Sequence, residues 1–383
     1  MRGSGAPRSL RIALLNPCYW PEVRRGSERF LRDLADGLLE RGHRPSLITS
    51  HPEGGGRTVE DGLEVIRVRR PPDGRLRRRG FEDHLTHVPL SYLALLRGEY
   101  DLAHALFHSD AAAAIRWSRR RRRPVVYSHM GVPDRADLVR RRRRLRLVEA
   151  ATRGADATVA LSAAAAAGFE RTLALTPRVI NPGVDLATFV PAVARATQPT
   201  ILCAADPSSP RKRVRLLIGA VTRLNAAGRD VRLVLSRPRD VRLATELAAI
   251  ADWIELRDLD DRGLLAASCG EAWVSALPSL GEAFGLVLVE ALACGTPVVA
   301  ADDGGMIEIV DDPRVGRLVA LGSVLEGEEQ EAALAEALAE ALALADEPST
   351  AELCRRSAER FSVGGTVERY ERLYRELLLA RSG

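Results

Sequence analysis

A chain of 383 residues, 46% hydrophobic and 28% charged, has the make-up of an ordinary globular protein. This excludes a disordered, fibrous or disulfide-stapled chain, and the length predicts two or three domains at about 150 residues each. The net charge of +5 divides unevenly: residues 1–180 carry 34 basic and 20 acidic side chains, a net +14, and residues 181–383 carry 22 and 31, a net −9, so the first half is expected to face anionic partners.

"LRIALLNP" at 10–17 is a short apolar run ending in turn residues and predicts a strand. The run is too brief for the basic residues before it to be read as a secretory signal. In "ERFLRDLADGLLERGH", Phe30, Leu31, Leu34, Leu38 and Leu39 recur at helical spacing, and Gly42 closes the helix. "PSLITS", "LEVIRVR", "DLAHALF", "PVVYSH" and "ATVALS" read as further strands between basic or alanine-rich helices. That is the βαβ repetition of a parallel sheet.

A turn-rich segment at 179–199 interrupts the rhythm, which restarts with "TILCAA", the helix "RVRLLIGAVTRLNAAG", "VRLVLS", "DWIELR" and "EAWVSAL". A helix opening near Gly285, the strand "TPVVAA" and the glycine-bearing "DDGGMIEIV" follow. The Ala/Leu/Glu stretch 332–345 predicts an exposed or peripheral helix, and "VERYERLYRELLLARS" a closing one. The expected fold is α/β, with two Rossmann-like doubly wound domains at 1–183 and 184–364 and a C-terminal helix, 365–383, packing back on the first.

The longest uncharged runs, residues 84–96 and 157–169, hold 13 residues, short of the roughly 18 that a spanning helix needs. Five scattered cysteines without a CxxC fit a reducing cytoplasm and suggest neither a metal knuckle nor a disulfide framework. Arginines cluster at 75–79, 119–123 and 140–146. Such runs attract phosphate-rich surfaces, but aromatics are only 4% and none interleave the runs for base stacking, which disfavours nucleic acid. An anionic acceptor or a peripheral contact with anionic lipid is the expected partner; a solvated arginine face accounts for the runs equally well.

Of the 56 basic side chains, Lys212 is the single lysine. An ammonium is a compact point charge suited to a tight phosphate pocket, whereas a guanidinium is a wide planar fork. Because ligands of doubly wound sheets bind beyond the carboxyl ends of the strands, Lys212, in "DPSSPRKR" after "TILCAA", is a candidate. So are Gly26, before the first helix, and His129, after "PVVYS". The fourth candidate group is "PSLGEAFGLVLVEALACGTPVV". Glu282 precedes a helix there, and Glu290 lies eight residues on, about two turns along it. A ligand across that helix end would place its phosphate on free backbone amides and its hydroxyls on the two carboxylates.

This segment resembles the E-x7-E motif of the retaining glycosyltransferases of family 4, which have the GT-B fold, and the likeness covers nearly the whole chain. "RGSERFLRDLADGLLERGH" is similar to the family's glycine loop and first helix, "VINPGVDLATF" to its interdomain linker, and "DDGGMIEIVDDPRVGRLV" to the segment after the motif. The resemblance implies two domains facing each other across a cleft, a nucleotide diphosphate sugar (UDP- or GDP-linked) as donor, and an acceptor that it does not identify. It implies that Glu282 binds hydroxyls of the donor sugar, Glu290 the ribose, and the amides of Phe284, Gly285 and Leu286 the sugar and diphosphate. Lys212 would neutralise the departing diphosphate, and His129 would orient the sugar. Attack on the front face, with the leaving phosphate taking the acceptor proton, needs no protein nucleophile, and no metal cofactor is expected. Asp258 and Asp260 mimic a DxD metal site but read as a surface turn. His104 and His108 read as structural.

Two departures stand out. Where the family usually has an arginine, the chain reads Ala205-Asp206-Pro207, so the second positive charge falls to Arg211 or Arg213. The paired glycine is replaced by Arg25-Gly26. A nicotinamide dehydrogenase is disfavoured because no GxGxxG follows the first strand, and an ATPase because Lys212 lacks the glycine of a P-loop. A nucleotide-sugar epimerase of the same fold and a weakly active sugar-nucleotide or glycan-binding protein remain as alternatives.

Overall fold

The first apolar run becomes β1 (Arg11–Leu15), whose Ile12 to Leu15 side chains are fully buried, as a strand covered on both faces of a parallel sheet requires. The computed structural model describes residues 8–23, 26–72, 75, 84–133, 142–322 and 327–381, without the side chains of 142 and 143. The chain divides into two units, Met1–Asn181 with Val363–Gly383, and Pro182–Ser362.

In the first unit, β1 is joined by β2 (Arg44–His51), β3 (Gly56–Glu60), β4 (Leu63–Arg69), β5 (Leu102–Ala105), β6 (Val125–His129), β7 (Ala157–Ala160) and β8 (Arg178–Val179). The spatial order is β3-β4-β2-β1-β5-β6-β7-β8. All pairings are parallel except β3 with β4. That hairpin was not expected from the strand pattern. Its turn is made by Asp61 and Gly62, at φ 47° and 82°, the two successive positive values that Asp-Gly adopts readily.

Helix Gly26–Glu40 buries Phe30, Leu31, Leu34 and Leu38, and helix Val363–Ala380 lies against it. The contact is close at Gly37, where a Cβ would come within 2.5 Å of Val367. Buried polar groups tie the same C-terminal helix to β5 and β6. His104 bonds to the Tyr374 hydroxyl at 2.7 Å and to Ser128 at 2.7 Å, and Ser128 bonds to the Tyr370 hydroxyl at 2.9 Å.

The second unit holds β9 (Thr200–Cys203), β10 (Arg232–Ser236), β11 (Ile254–Arg257), β12 (Val274–Leu277), β13 (Val298–Ala301) and β14 (Gly316–Val319). The sheet is wholly parallel, in the order β11-β10-β9-β12-β13-β14. The chain winds one way from β9 and the other way from β12, so the switch point, where open α/β sheets bind ligands, lies between these two neighbours.

The alanine-rich stretch, expected to be an exposed or peripheral helix, is not an exposed one. Helix Glu328–Asp346 buries Leu334, Leu338, Ala341 and Leu342 against helix Val214–Ala226 and β14. Its alanines read as exposed by composition, but small side chains are what a close helix-on-helix contact uses. Helix Val363–Ala380 belongs to the first unit. Among the described residues no helix is long and apolar enough to cross a membrane. Among the described residues none of the five cysteines forms a disulfide, and four of them are buried. Arg25, residues 76–79 and the beginning of the 140–146 run lie outside the described residues.

Candidate functional site

The loops after β9 and β12 meet at the switch point. The first closes as a single 3-10 turn, Pro210–Lys212, ended by Arg213 in the left-handed region at φ 53°. The second, residues 278–285, leads into helix Leu286–Ala293. The two are stitched together through the backbone, since Leu280 N–H donates to the Arg211 carbonyl at 3.1 Å and the Arg211 side chain donates to the carbonyl of Gly281 at 3.1 Å.

Glu282 is the centre of this arrangement. Its Oε2 accepts from Lys212 Nζ at 2.6 Å, from Ser279 Oγ at 2.9 Å and from Arg211 Nη1 at 3.0 Å. Burial by itself would raise the Glu282 carboxyl; the Lys212 ammonium and then the Arg211 guanidinium outweigh it and hold the pKa below the ordinary carboxylate value. The group is therefore a fixed anion that keeps two cations side by side. Arg213, the other candidate for the second charge, is committed elsewhere, donating to the Leu321 carbonyl at 2.8 Å and to Gln330. Asp206 is exposed and turned on its own loop, accepting from the Ser208 amide at 3.0 Å and hydroxyl at 2.7 Å.

Gly285 caps helix Leu286–Ala293 at φ 106° with no side-chain cap, a conformation that disfavours any residue with a Cβ. The first amides of the helix have no partner within it and carry the positive end of its dipole. Phe284 is buried edge-on against Phe361 at 5.3 Å, which pins the loop while its backbone runs past the helix end. Leu286 opens the helix, and Glu290, 3% exposed, lies further along it.

A second support comes from "DDGGMIEIV", which forms the 3-10 turn Gly304–Glu308 rather than a strand or long helix. Gly305 N–H donates to the Glu282 carbonyl at 2.9 Å, and Asp303 accepts from the Gly281 amide. A Cβ on Gly304 would lie 2.2 Å from the Glu282 carbonyl oxygen, and one on Gly305 2.4 Å from that of Ala283. Ser279, Asp303, Gly304 and Gly305 were not singled out from the sequence as site residues. The doubled glycine was the available signal.

The remaining candidates lie in the first unit. His129 ends β6, with its Nδ1 2.7 Å from the Tyr127 hydroxyl and its ring edge-on to Phe169 at 5.2 Å. Burial, with a smaller contribution from Arg144, lowers its pKa to about 4, so the imidazole is neutral at pH 7. Gly26 opens helix Gly26–Glu40 with nothing within 4 Å of a Cβ built on it. Two residues on, Glu28 fixes the helix start by accepting from Asn16 Nδ2 at 3.1 Å. His104 and His108 are buried, their pKa values lowered to about 3 by burial. Asp258 and Asp260 sit in the turn before helix Arg262–Glu271, with Asp260 paired to Arg239 at 3.2 Å. Among the described residues no group of three His, Cys, Asp or Glu could hold a metal ion.

The pattern of Glycosyltransferase Family 4 matches residues 24–188, and that of the Glycosyl transferases group 1 matches residues 198–343. The chain belongs to glycosyltransferase family 4. Its similarity to the D-inositol 3-phosphate glycosyltransferase of Paenarthrobacter aurescens is 29% identity over 330 residues, 77% of this chain and 80% of that one. The enzyme of the same description from Nocardiopsis dassonvillei is 37% identical over 144 residues, and that from Mycobacteroides abscessus 38% over 157. In these two matches the chain spans about a third of the relatives' length, 32% and 35%.

The fold is shared with sucrose-phosphate synthase from Thermosynechococcus elongatus at a TM-score of 0.81 and 22% identity, over 97% of this chain and all of that one. It is shared also with the HepE protein of Anabaena in complex with UDP-glucose, at 0.70 and 20%, over 96% of this chain and all of that one. The two Rossmann-like units of this family 4 chain thus have the GT-B architecture.

Proposed function

We propose that this family 4 protein is a retaining glycosyltransferase that takes a UDP- or GDP-linked sugar and passes the sugar to a hydroxyl of an anionic acceptor. The observation that carries this reading is the pair of cations, Lys212 and Arg211, on one oxygen of Glu282 at the switch point, beside the uncapped helix end at Gly285. Two positive charges and a helix N-terminus make a site for a diphosphate. Glu290 and Glu282 supply acceptors for ribose and sugar hydroxyls.

In this mechanism Glu282 surrenders part of its hold on Lys212 to the β-phosphate. As the bond between anomeric carbon and phosphate lengthens, negative charge grows on the leaving oxygen, and the ammonium and the helix amides stabilise it where it develops. These groups supply the neutralisation without a metal ion. The departing phosphate takes the acceptor proton on the same face of the sugar, and His129 donates a hydrogen bond to the donor sugar.

The second unit is proposed to hold the nucleotide sugar and the first unit the acceptor. An anionic acceptor is supported by the net +14 of residues 1–180 and by relatives described as acting on D-inositol 3-phosphate. The UDP-glucose complex of the HepE protein supports UDP as the first donor base to test. The exposed arginines 119–123 at the end of helix His108–Arg121 are proposed to allow peripheral contact with an anionic membrane surface.

The test is transfer from UDP- and GDP-sugars to polyol phosphates, with the anomeric configuration of the product read by NMR. Retained configuration supports the mechanism, an inverted product removes it, and sugar interconversion without acceptor would mark an epimerase.

A further inference from the structure

His129 and Tyr127 stand two residues apart on β6, so their side chains leave the same face of the sheet. Tyr127 is fully buried, and its hydroxyl lies 2.7 Å from Nδ1 of His129. Among the described residues that nitrogen is the sole hydrogen-bond partner of the phenol. If Nδ1 carried the proton and donated, the phenolic hydrogen would be left buried without an acceptor, a costly arrangement. The bond therefore runs from the Tyr127 O–H to Nδ1. A neutral imidazole has one donor and one acceptor nitrogen, so its proton is on Nε2. That nitrogen faces Gly131, where a side chain would begin 3.6 Å away and glycine has none. Phe169 packs edge-on against the ring at 5.2 Å.

We propose that Tyr127 is a positioning residue: its hydroxyl fixes the Nε2–H tautomer of His129, so that a neutral ring presents an N–H donor to the sugar. The inference rests on the proposed function for its consequence in turnover, but not for the tautomer itself. Burial keeps the Tyr127 hydroxyl protonated far above its ordinary range, consistent with a permanent donor.

Nitrogen-15 NMR of the imidazole at pH 7 in the full chain tests the tautomer directly. The wild type is expected to show an unprotonated Nδ1 and a protonated Nε2, and Tyr127→Phe a mixture of the two tautomers. With transfer as readout, Tyr127→Phe is expected to lower kcat in proportion to the Nε2–H population lost, about twofold for an even mixture, with the donor KM unchanged, the mark of an interaction that matters in the transition state. His129→Gln places an amide N–H near the Nε2 position and has no tautomer to fix, so adding Tyr127→Phe to it should cost nothing more. A wild-type proton on Nδ1, an unchanged tautomer in Tyr127→Phe, or an equal loss in the His129→Gln background would each overturn the proposal. Absence of any transfer by the wild type would sink the glycosyltransferase reading instead, and the spectra would still decide the tautomer.

Discussion

The Lys212 ammonium lies 2.6 Å from Oε2 of Glu282, the oxygen that also takes Arg211 and Ser279. The ion pair is partly buried, with side-chain exposures of 18% and 15%, so solvent screens it less than a surface pair. Glu282 thereby stores two cations at the place where a diphosphate would need them.

Replacing Lys212 by alanine is expected to lower transfer by about a hundredfold or more, the scale of losing one preorganised electrostatic group. Lys212→Arg is expected not to restore it, because the planar guanidinium does not fit the position of a compact ammonium. Steady-state kinetics of the two variants check this; an active Lys212→Arg would show that charge alone suffices.

Arg211→Ala should weaken binding of a nucleoside diphosphate by about tenfold, the scale of one charge-assisted hydrogen bond, and leave the corresponding monophosphate nearly unaffected. Calorimetric titration with UDP and UMP, or GDP and GMP, separates the two. Equal losses for both would remove Arg211 from the diphosphate. Arg213, bonded to Leu321 and Gln330, is expected to affect stability rather than this ratio.

Gly305→Ala puts a methyl group 2.4 Å from the Ala283 carbonyl oxygen and 2.7 Å from the Phe284 Cα. Backbone cannot retreat as a flexible side chain does, so the loop carrying Glu282 must shift. A loss of about 1–3 kcal/mol is expected, with transfer falling further than stability. Denaturant unfolding alongside kinetics tests this, and a variant as stable and active as wild type would contradict the packing.

The strand alternation made much of this legible. It places Lys212 after β9 and Glu282 after β12, and a doubly wound sheet brings such loops together at its switch point. The spacing of Glu282 and Glu290 and the helix start at Gly285 were equally visible. Which arginine joins Lys212 was not, because Arg211 and Arg213 flank it alike in sequence. The left-handed turn at Arg213 sends one side chain to Glu282 and the other to Leu321. The clamp by Asp303 and Gly305 depends on a contact across more than twenty residues, which no local period announces. The β3–β4 hairpin had its signal in Asp61-Gly62, but β3 has an exposed and polar face and no apolar run to mark it. The helix Glu328–Asp346 was misjudged because alanine composition does not say which face is covered.

Acid should destabilise the first unit through its histidines. Burial lowers His104 and His108 to about 3 and His129 to about 4, from an ordinary 6.5. The unfolded chain therefore binds protons that the folded chain refuses, and stability falls as pH drops below 6.5 and goes on falling towards pH 4. Each histidine contributes about 1.4 kcal/mol per pH unit within that window. Urea midpoints at pH 7 and pH 5, followed by first-unit amide signals, measure the slope. His108→Asn should flatten it by about one proton's worth, and an unchanged slope would show that His108 protonates freely in the folded state.

Thermal unfolding with nucleoside diphosphates and their sugars, in wild type and Lys212→Ala, tests the central claim most directly, because a ligand held only by the folded state raises the midpoint. UDP or GDP is expected to raise the wild-type midpoint by several degrees at about 100 times its Kd, and to raise that of Lys212→Ala far less. No shift with any nucleotide, or an equal shift in both proteins, would contradict a diphosphate site built on Lys212 and Glu282.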